Sequence, residues 1–230
     1  MTFDRKQSKK HEVKLSSPIC TLSYPRLGNR AKTGGQYDGE FGSIGVTLLF
    51  NPELPAHKAF ITKVEKLWKK AVTTVADNEG ESFEDMPKKL CPLREQKVKG
   101  DDGRKVKTGL YSLTCSKDYQ WINNKTGDTI TNKFNVVDSK GKPLSTAEKN
   151  SLYSGTQARV GLIAYPYLVS GTAGLKLAIN LIQVTEAVKA GEASVSDFFD
   201  DEVDGFVSDG SVDAVEDSVE QEVEAEVKDF

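Results

Sequence analysis

A chain of 230 residues can hold one domain with a substantial core or two small domains. No apolar run approaches the roughly 20 residues needed to cross a bilayer. The formal net charge of −3 hides a division. Residues 197–230 carry 14 acidic side chains and one lysine, whereas residues 1–196 carry 30 Lys and Arg against 20 Asp and Glu. A basic body joined to an acidic tail points to a protein whose body binds a polyanion. The three cysteines, Cys20, Cys91 and Cys115, are odd in number and widely spaced, which argues against a disulfide framework and a zinc site. His11 and His57 are too few for a histidine-based site and read as surface residues.

Taken in chain order, residues 1–14 read as a flexible basic arm with no apolar signal-peptide region, which predicts a cytoplasmic protein. VKLSSPICTLSYP reads as one strand ending at Pro25. A glycine-rich basic loop follows, with Arg26, Arg30, Lys32, Tyr37 and Phe41. In SIGVTLLF, Ile44, Val46, Leu48 and Phe50 alternate with smaller or outward residues, the pattern of a half-buried strand. AHKAFITKVEKLWKKAVTTVA places Phe60, Val64, Leu67, Trp68, Ala71 and Val75 on one helical face, with lysines on the other. Trp68 on that stripe reads as a core anchor.

Residues 77–107 read as mostly loop. Within them, 88–107 hold eight Lys and Arg against three acidic residues, Lys107 included. Two readings stand: a solvated hairpin tip, or a basic finger that touches phosphates. GLYSLTCSKDYQW, FNVVD, SLYSGTQARVGLIAYPYLV and GLKLAINLIQVTEAV read as further strands, and Cys20 and Cys115 fall inside strands as small buried residues. About five strands, one amphipathic helix and long loops give a mainly β body that suits a five-stranded Greek-key barrel, the OB-fold, with a sandwich as the other possibility.

Enzyme motifs are missing: there is no phosphate loop, HExxH, CxxC or GxSxG. The reading is of a non-enzyme without a cofactor or metal. What recurs is a basic residue beside an aromatic one: Tyr24 with Arg26, Lys32 with Tyr37, Lys117 with Tyr119 and Trp121, and Arg159 with Tyr165 and Tyr167. Single-stranded nucleic acid needs both, cations for its phosphates and flat rings for its exposed bases. Alternation in SLYSGTQARVGLIAYPY sets Arg159, Ile163, Tyr165 and Tyr167 on one face, opposite Val160, Leu162 and Ala164. That face is either a binding surface or a rim that the tyrosines close.

In their order and spacing, TLSYPRL, VTLLFNPE…KVEKLWKKAV, SLYSGTQARVGLIAYPY, AGLKLAINLIQVTEA and the acidic tail ending in Asp229-Phe230 resemble the acidic-tailed single-stranded DNA-binding proteins of tailed bacteriophages, podovirus type. The resemblance spans nearly the whole chain. It implies an OB-fold body at 1–196, a disordered acidic tail at 197–230, and binding of single-stranded DNA without sequence preference in phage DNA replication, recombination and repair. It also implies phage DNA polymerase and helicase/primase as partners of the tail, and admits a homodimer. Carried onto this chain, the cleft is lined at Tyr24, at Lys117 to Trp121 and at Tyr165 and Tyr167. One departure is SKDYQW, where relatives often have Arg-Pro after the serine-lysine pair.

The tail is too acidic and too poor in large apolar residues to fold alone. Two roles fit it: competition with DNA for the cationic cleft, and docking of Asp229 and Phe230 on replication proteins. The competing reading is an acidic-tailed adaptor or chaperone-like protein that binds no nucleic acid.

Overall fold

The computed structural model describes residues 3–29, 31–32, 41–99, 103–123 and 125–188. The chain divides into two units, Met1–Glu192 and Ala193–Phe230, and the second lies outside the described residues. In chain order the elements are α1 (Arg5–Lys10), β1 (Val13–Ser16), β2 (Cys20–Arg26), β3 (Ser43–Phe50), α2 (Pro55–Glu79), β4 (Leu93–Lys99) and β5 (Lys105–Asp118). They continue with β6 (Gln120–Ile122), β7 (Thr129–Thr131), β8 (Val136–Val137), α3 (Thr146–Asn150), β9 (Gln157–Val169) and β10 (Thr172–Glu186).

Five strands pair in the order β5-β3-β2-β9-β10 and form a partly open OB-fold barrel. β4 extends the sheet beyond β5, β8 pairs with β10, and β1 adds to β9. β6 and β7 form a separate two-stranded ribbon. The alternation in SIGVTLLF holds: Ile44, Val46, Leu48 and Phe50 are all buried. Each such side chain contributes roughly 1.5–3 kcal/mol through the apolar surface it removes from water. β9 and β10 form one long hairpin, in which Val169 pairs with Thr172 across Ser170 and Gly171. Both turn residues have positive φ, 49° and 70°, as a tight primed turn matched to the strand twist requires.

α2 is the long amphipathic helix expected. Pro55 sits in its first turn, where the missing N–H costs nothing, and Gly80 ends it in the left-handed conformation. Phe60, Ile61 and Val64 join the barrel core. One or more turns on, Val72, Val75 and Ala76 pack with Phe3, Met86 and Ala173 in a second cluster. Trp68 is half-buried between the two clusters, and its indole N–H donates to the Lys89 carbonyl at 2.9 Å.

Three segments differ from their sequence reading. Within the basic arm read at 1–14, residues 3–14 are not loose, because short-range capping and long-range anchoring act together on them. Asp4 and Gln7 cap α1 reciprocally, Phe3 is buried, and Ser8 Oγ donates to the Pro166 carbonyl at 2.6 Å. The first strand is two strands, interrupted at Ser17-Pro18, where the Ser17 hydroxyl accepts from Val160 N–H at 2.9 Å. Residues 93–99 and 105–107 pair as strands of the β4–β5 hairpin, as the hairpin reading of 88–107 allowed and the loop reading of 77–107 did not, since charged side chains suit a ribbon whose two faces are wet. His57 is also buried rather than a surface residue. It accepts from Asn51 N–H at Nδ1 and donates from Nε2 to the Ile19 carbonyl at 2.7 Å, tying the start of α2 to the turn before β2.

Candidate functional site

The barrel is not laced shut between β5 and β10. At one end of this seam the segment after α2 bonds the edge of β10, with Lys89 N–H donating to the Ala173 carbonyl and Ala173 N–H to the Pro87 carbonyl. At the other end β8 pairs with β10 at Ile182 and Gln183. β4 leaves β5 at Leu113. Between these points Thr114–Asp118 and Leu175–Leu181 face each other without a ladder among the described residues, apart from Cys115 Sγ donating to the Leu177 carbonyl at 3.6 Å.

Two depressions, of about 620 and 650 Å³, lie along this seam and share Tyr165, Lys176 and Leu177. Together they form one groove. Leu113, Leu175 and Leu177 make an apolar floor. Lys89, Arg94, Lys117 and Lys176 supply cations along the walls, and Asp118 is the one carboxylate in the lining among the described residues. Tyr165, Tyr167 and Trp121 supply rings.

Each ring is placed by local structure. Tyr165 and Tyr167 lie on the outward face of β9, opposite buried Ala158, Val160, Leu162, Ala164 and Pro166. Tyr165 pairs with Lys176 and Tyr167 with Gly174 across the hairpin. The Tyr167 ring lies over Gly174 so closely that a Cβ there would clash with its ring carbons and hydroxyl. Partial burial pushes the Tyr167 phenol above its ordinary pKa. Trp121 stands on the β6–β7 ribbon opposite Ile130 and is 43% exposed.

Lys117 is held rather than free. Its ammonium donates to the Lys133 carbonyl at 2.6 Å and lies 4.2 Å from the centroid of buried Phe134. Desolvation lowers its pKa, because the charged form loses water there. Its charge faces the groove in a partly dry setting, where attraction to an anion is screened less than at the open surface.

Of the residues singled out in the sequence, the groove gathers Lys117, Trp121, Tyr165 and Tyr167. The others lie elsewhere. Tyr119 is half-buried against the core, with its backbone bonded to Gly42 and Asn132. Tyr24 is 76% exposed at an irregularity in β2, with φ of 49° and its N–H on Ser154 Oγ. Arg26 is in β2 with its Nε buried and unpartnered among the described residues. Lys32 bridges to Ser43 at the start of β3. Arg159 pairs with Gln183 and is exposed. Lys107 forms an ion pair with Glu95 at 2.8 Å. Tyr37, Asp229 and Phe230 lie outside the described residues.

Lys176, Arg94 and Lys89 line the groove without having been singled out. Lys176 had a signal: it is the one charge in GLKLAI, between Leu175 and Leu177, at a position that alternation turns outward. Among the described residues no group of three or more His, Cys, Asp or Glu could hold a metal ion, and no helix is long and apolar enough to cross a membrane.

No family model and no curated protein sequence matches the chain. Solved structures do. The crystal structure of gp2.5, a single-stranded DNA-binding protein encoded by bacteriophage T7, superposes with a TM-score of 0.56 at 17% identity, over 86% of this chain and 99% of that one. The two proteins share a fold. The single-stranded DNA-binding protein of bacteriophage Enc34, in complex with single-stranded DNA, matches at a TM-score of 0.49 and 15% identity, over 79% of this chain and 89% of that one.

Proposed function

We propose that this protein binds single-stranded DNA without sequence preference, as a bacteriophage protein that protects DNA strands during replication and recombination in the host cytoplasm. The observation that carries this reading is the seam groove. It sets three rings and four cations along one path over an apolar floor. Rings stack on any base, and cations track any phosphate, so such a groove selects single strands and ignores sequence. The fold shared with the T7 protein supports the same reading. In this reading the chain has no catalytic role. Its site is Lys117, Trp121, Tyr165 and Tyr167, joined by Lys89, Arg94 and Lys176, with Tyr24, Arg26, Lys32, Tyr37, Lys107, Tyr119 and Arg159 as flanking contacts for a longer strand.

The acidic tail, residues 197–230, supplies regulation. Its 14 carboxylates compete with phosphates for the basic body. Once DNA displaces them, Asp229 and Phe230 dock on replication proteins, the ring in an apolar pocket and the carboxylates on basic residues. The test is titration of oligo-dT into full-length and tail-deleted protein, followed by tryptophan fluorescence, beside duplex DNA. Trp121 is the expected reporter, because Trp68 is already bonded to the Lys89 carbonyl. Quenching by oligo-dT, and tighter binding after tail deletion at low salt, are expected. No spectral change and no binding would favour an adaptor that takes basic clients through its tail; unchanged affinity after deletion would remove the competition alone.

A further inference from the structure

The groove tyrosines have a second neighbour that the groove lining leaves out. β9 pairs with β10 along one edge and with β1 along the other, and α1 leads into β1. The seam lies beyond β10, so α1 stands on the far side of β9 from it. The capping box of Asp4 and Gln7, the burial of Phe3 and the bond from Ser8 Oγ to the Pro166 carbonyl hold this short helix against β9. A depression of about 330 Å³ lies between helix and strand. Arg5 and Lys9 line it from α1, and Tyr165 and Tyr167 line it from β9. Both tyrosines also line the groove, so the two hollows meet at one pair of rings.

Across the strands, cations and rings therefore alternate. Lys176 of β10 comes first, paired directly with Tyr165, then the two tyrosines of β9, then Arg5 and Lys9 of α1. Arg5 and Lys9 are four residues apart in a helix, which makes them neighbours on one face. Both are exposed, and neither has an ion-pair partner among the described residues. Lys6 and Lys10 form a second pair, turned about 100° around the helix, and neither lines this depression. Two carboxylates stand in the lining. Asp4 is engaged in the cap, where it accepts from Gln7 N–H at 2.9 Å, and Glu12 follows the helix with no such bond.

We propose that α1 continues the binding path, with Arg5 and Lys9 holding the phosphates of the nucleotides that leave the groove over Tyr165 and Tyr167. This inference rests on the reading of the groove as a single-strand site. The strand then crosses the sheet from the seam, over the β9–β10 hairpin, to the N-terminal helix. Arg5 and Lys9 supply charge at its far end, and the two rings supply the stacking surface between. Lys6 and Lys10 carry the same formal charge on the same six-residue helix and take no part, so position and not net charge is what the path uses. Glu12 opposes the phosphates, and it limits how tightly this end of the path holds them.

The test uses the full chain and compares two variants of equal charge, R5Q/K9Q and K6Q/K10Q. Each is titrated with labelled oligo-dT of about 4 to 16 nucleotides, the range of site sizes for one OB-fold, and binding is read by anisotropy at several salt concentrations. Thermal unfolding is run beside it to show that both variants are folded. With the longest oligonucleotide, R5Q/K9Q should bind roughly tenfold or more weakly at 0.1 M salt, and its log–log salt slope should fall by about 1.4, two phosphates' share. The loss should shrink as the oligonucleotide shortens. K6Q/K10Q should bind within about twofold of the parent at every length, and Glu12→Gln should tighten the longest. The proposal is overturned if R5Q/K9Q matches the parent at every length. It is overturned equally if K6Q/K10Q loses as much, which would make the effect one of net charge, or if the loss is the same at all lengths, which would put both residues within the groove. A parent that binds no oligo-dT would refute the reading of the groove, and this inference with it. Weakening by Tyr165→Ala with R5Q/K9Q unchanged would refute this inference alone.

Discussion

Tyr165 is the residue on which the groove turns, because it lines both depressions and pairs with Lys176 across the hairpin. Tyr165→Ala removes one stacking platform. The ring lies on the outward face of β9, half-buried, so the barrel core behind it at Leu162 and Ala164 keeps its packing. Base-on-ring stacking contributes roughly 1–3 kcal/mol per base. At about 1.4 kcal/mol per tenfold, the variant should bind oligo-dT about 5- to 140-fold more weakly. Tyr165→Phe keeps the ring and should bind within about twofold of the parent, given that stacking needs no hydroxyl. The assay is fluorescence anisotropy of a labelled oligo-dT at fixed salt, with thermal unfolding of each variant run beside it. The salt slope should be unchanged in both, because both variants keep every cation. If Tyr165→Ala binds within twofold of the parent while remaining folded, the groove is not the path of the bases. If its loss of affinity comes with a reduced salt slope, the ring acts by positioning Lys176 instead.

Three further outcomes follow from the same geometry. Lys176→Ala should lower the log–log salt slope for oligo-dT by about 0.7, one phosphate's share, while Lys107→Ala should leave binding of an oligo-dT short enough to lie within the groove nearly unchanged, because Lys107 stands outside the groove lining on Glu95; equal slopes for parent and Lys176→Ala would remove it from the path. Gly174→Ala should displace the Tyr167 ring, with which a Cβ would clash, weakening oligo-dT binding and costing about 1–3 kcal/mol of stability in denaturant unfolding; a variant of full affinity and stability would show that the ring has room to move. Burial pushes the Cys20 and Cys115 thiols up to about 12, so neither should react with iodoacetamide at pH 8 in the folded protein. Their folded pKa values lie above the unfolded value of 9.0, so the stability they contribute is complete below pH 9 and is lost as pH rises from there towards 12. Unfolding in urea between pH 8 and pH 11 checks the sign.

The barrel was legible in the sequence wherever a strand buries one face. Ile44 to Phe50 and Val160 to Ala164 alternate cleanly because the core demands it of every second residue. Tyr165 and Tyr167 were legible for the same reason, as aromatic residues on the outward side of a strand whose other side is buried. The β4–β5 ribbon was legible only as one of two alternatives, since a hairpin wet on both faces imposes no alternation of burial. Long-range anchors were equally silent: nothing near Ser8 in sequence announces the Pro166 carbonyl that it bonds. The scatter of Tyr24, Lys32, Lys107 and Arg159 away from the groove has a similar cause. Sharing a face is not enough: Arg159 stands on the outward face of β9 with Tyr165, but six residues of strand, about 20 Å, separate them.

The position of the groove follows from where backbone pairing stops. A closed sheet offers a ligand only side chains, whereas a seam between two unpaired edges exposes carbonyl and N–H groups and lets side chains on both strands lean over one slot. β5 and β10 part between Thr114 and Asp118 on one side and Leu175 and Leu181 on the other. Lacing that seam shut would bring β5 to about 4.8 Å from β10 and close the two depressions along it. The gap therefore costs the barrel several ladder hydrogen bonds, each contributing roughly 0.5–1.5 kcal/mol net, and leaves the groove open. The same reasoning accounts for the anchors at either end. The segment at Lys89 and the short strand β8 fix β10 at Ala173 and Ile182. With both ends held, the unpaired stretch between them stays open without peeling β10 from the barrel.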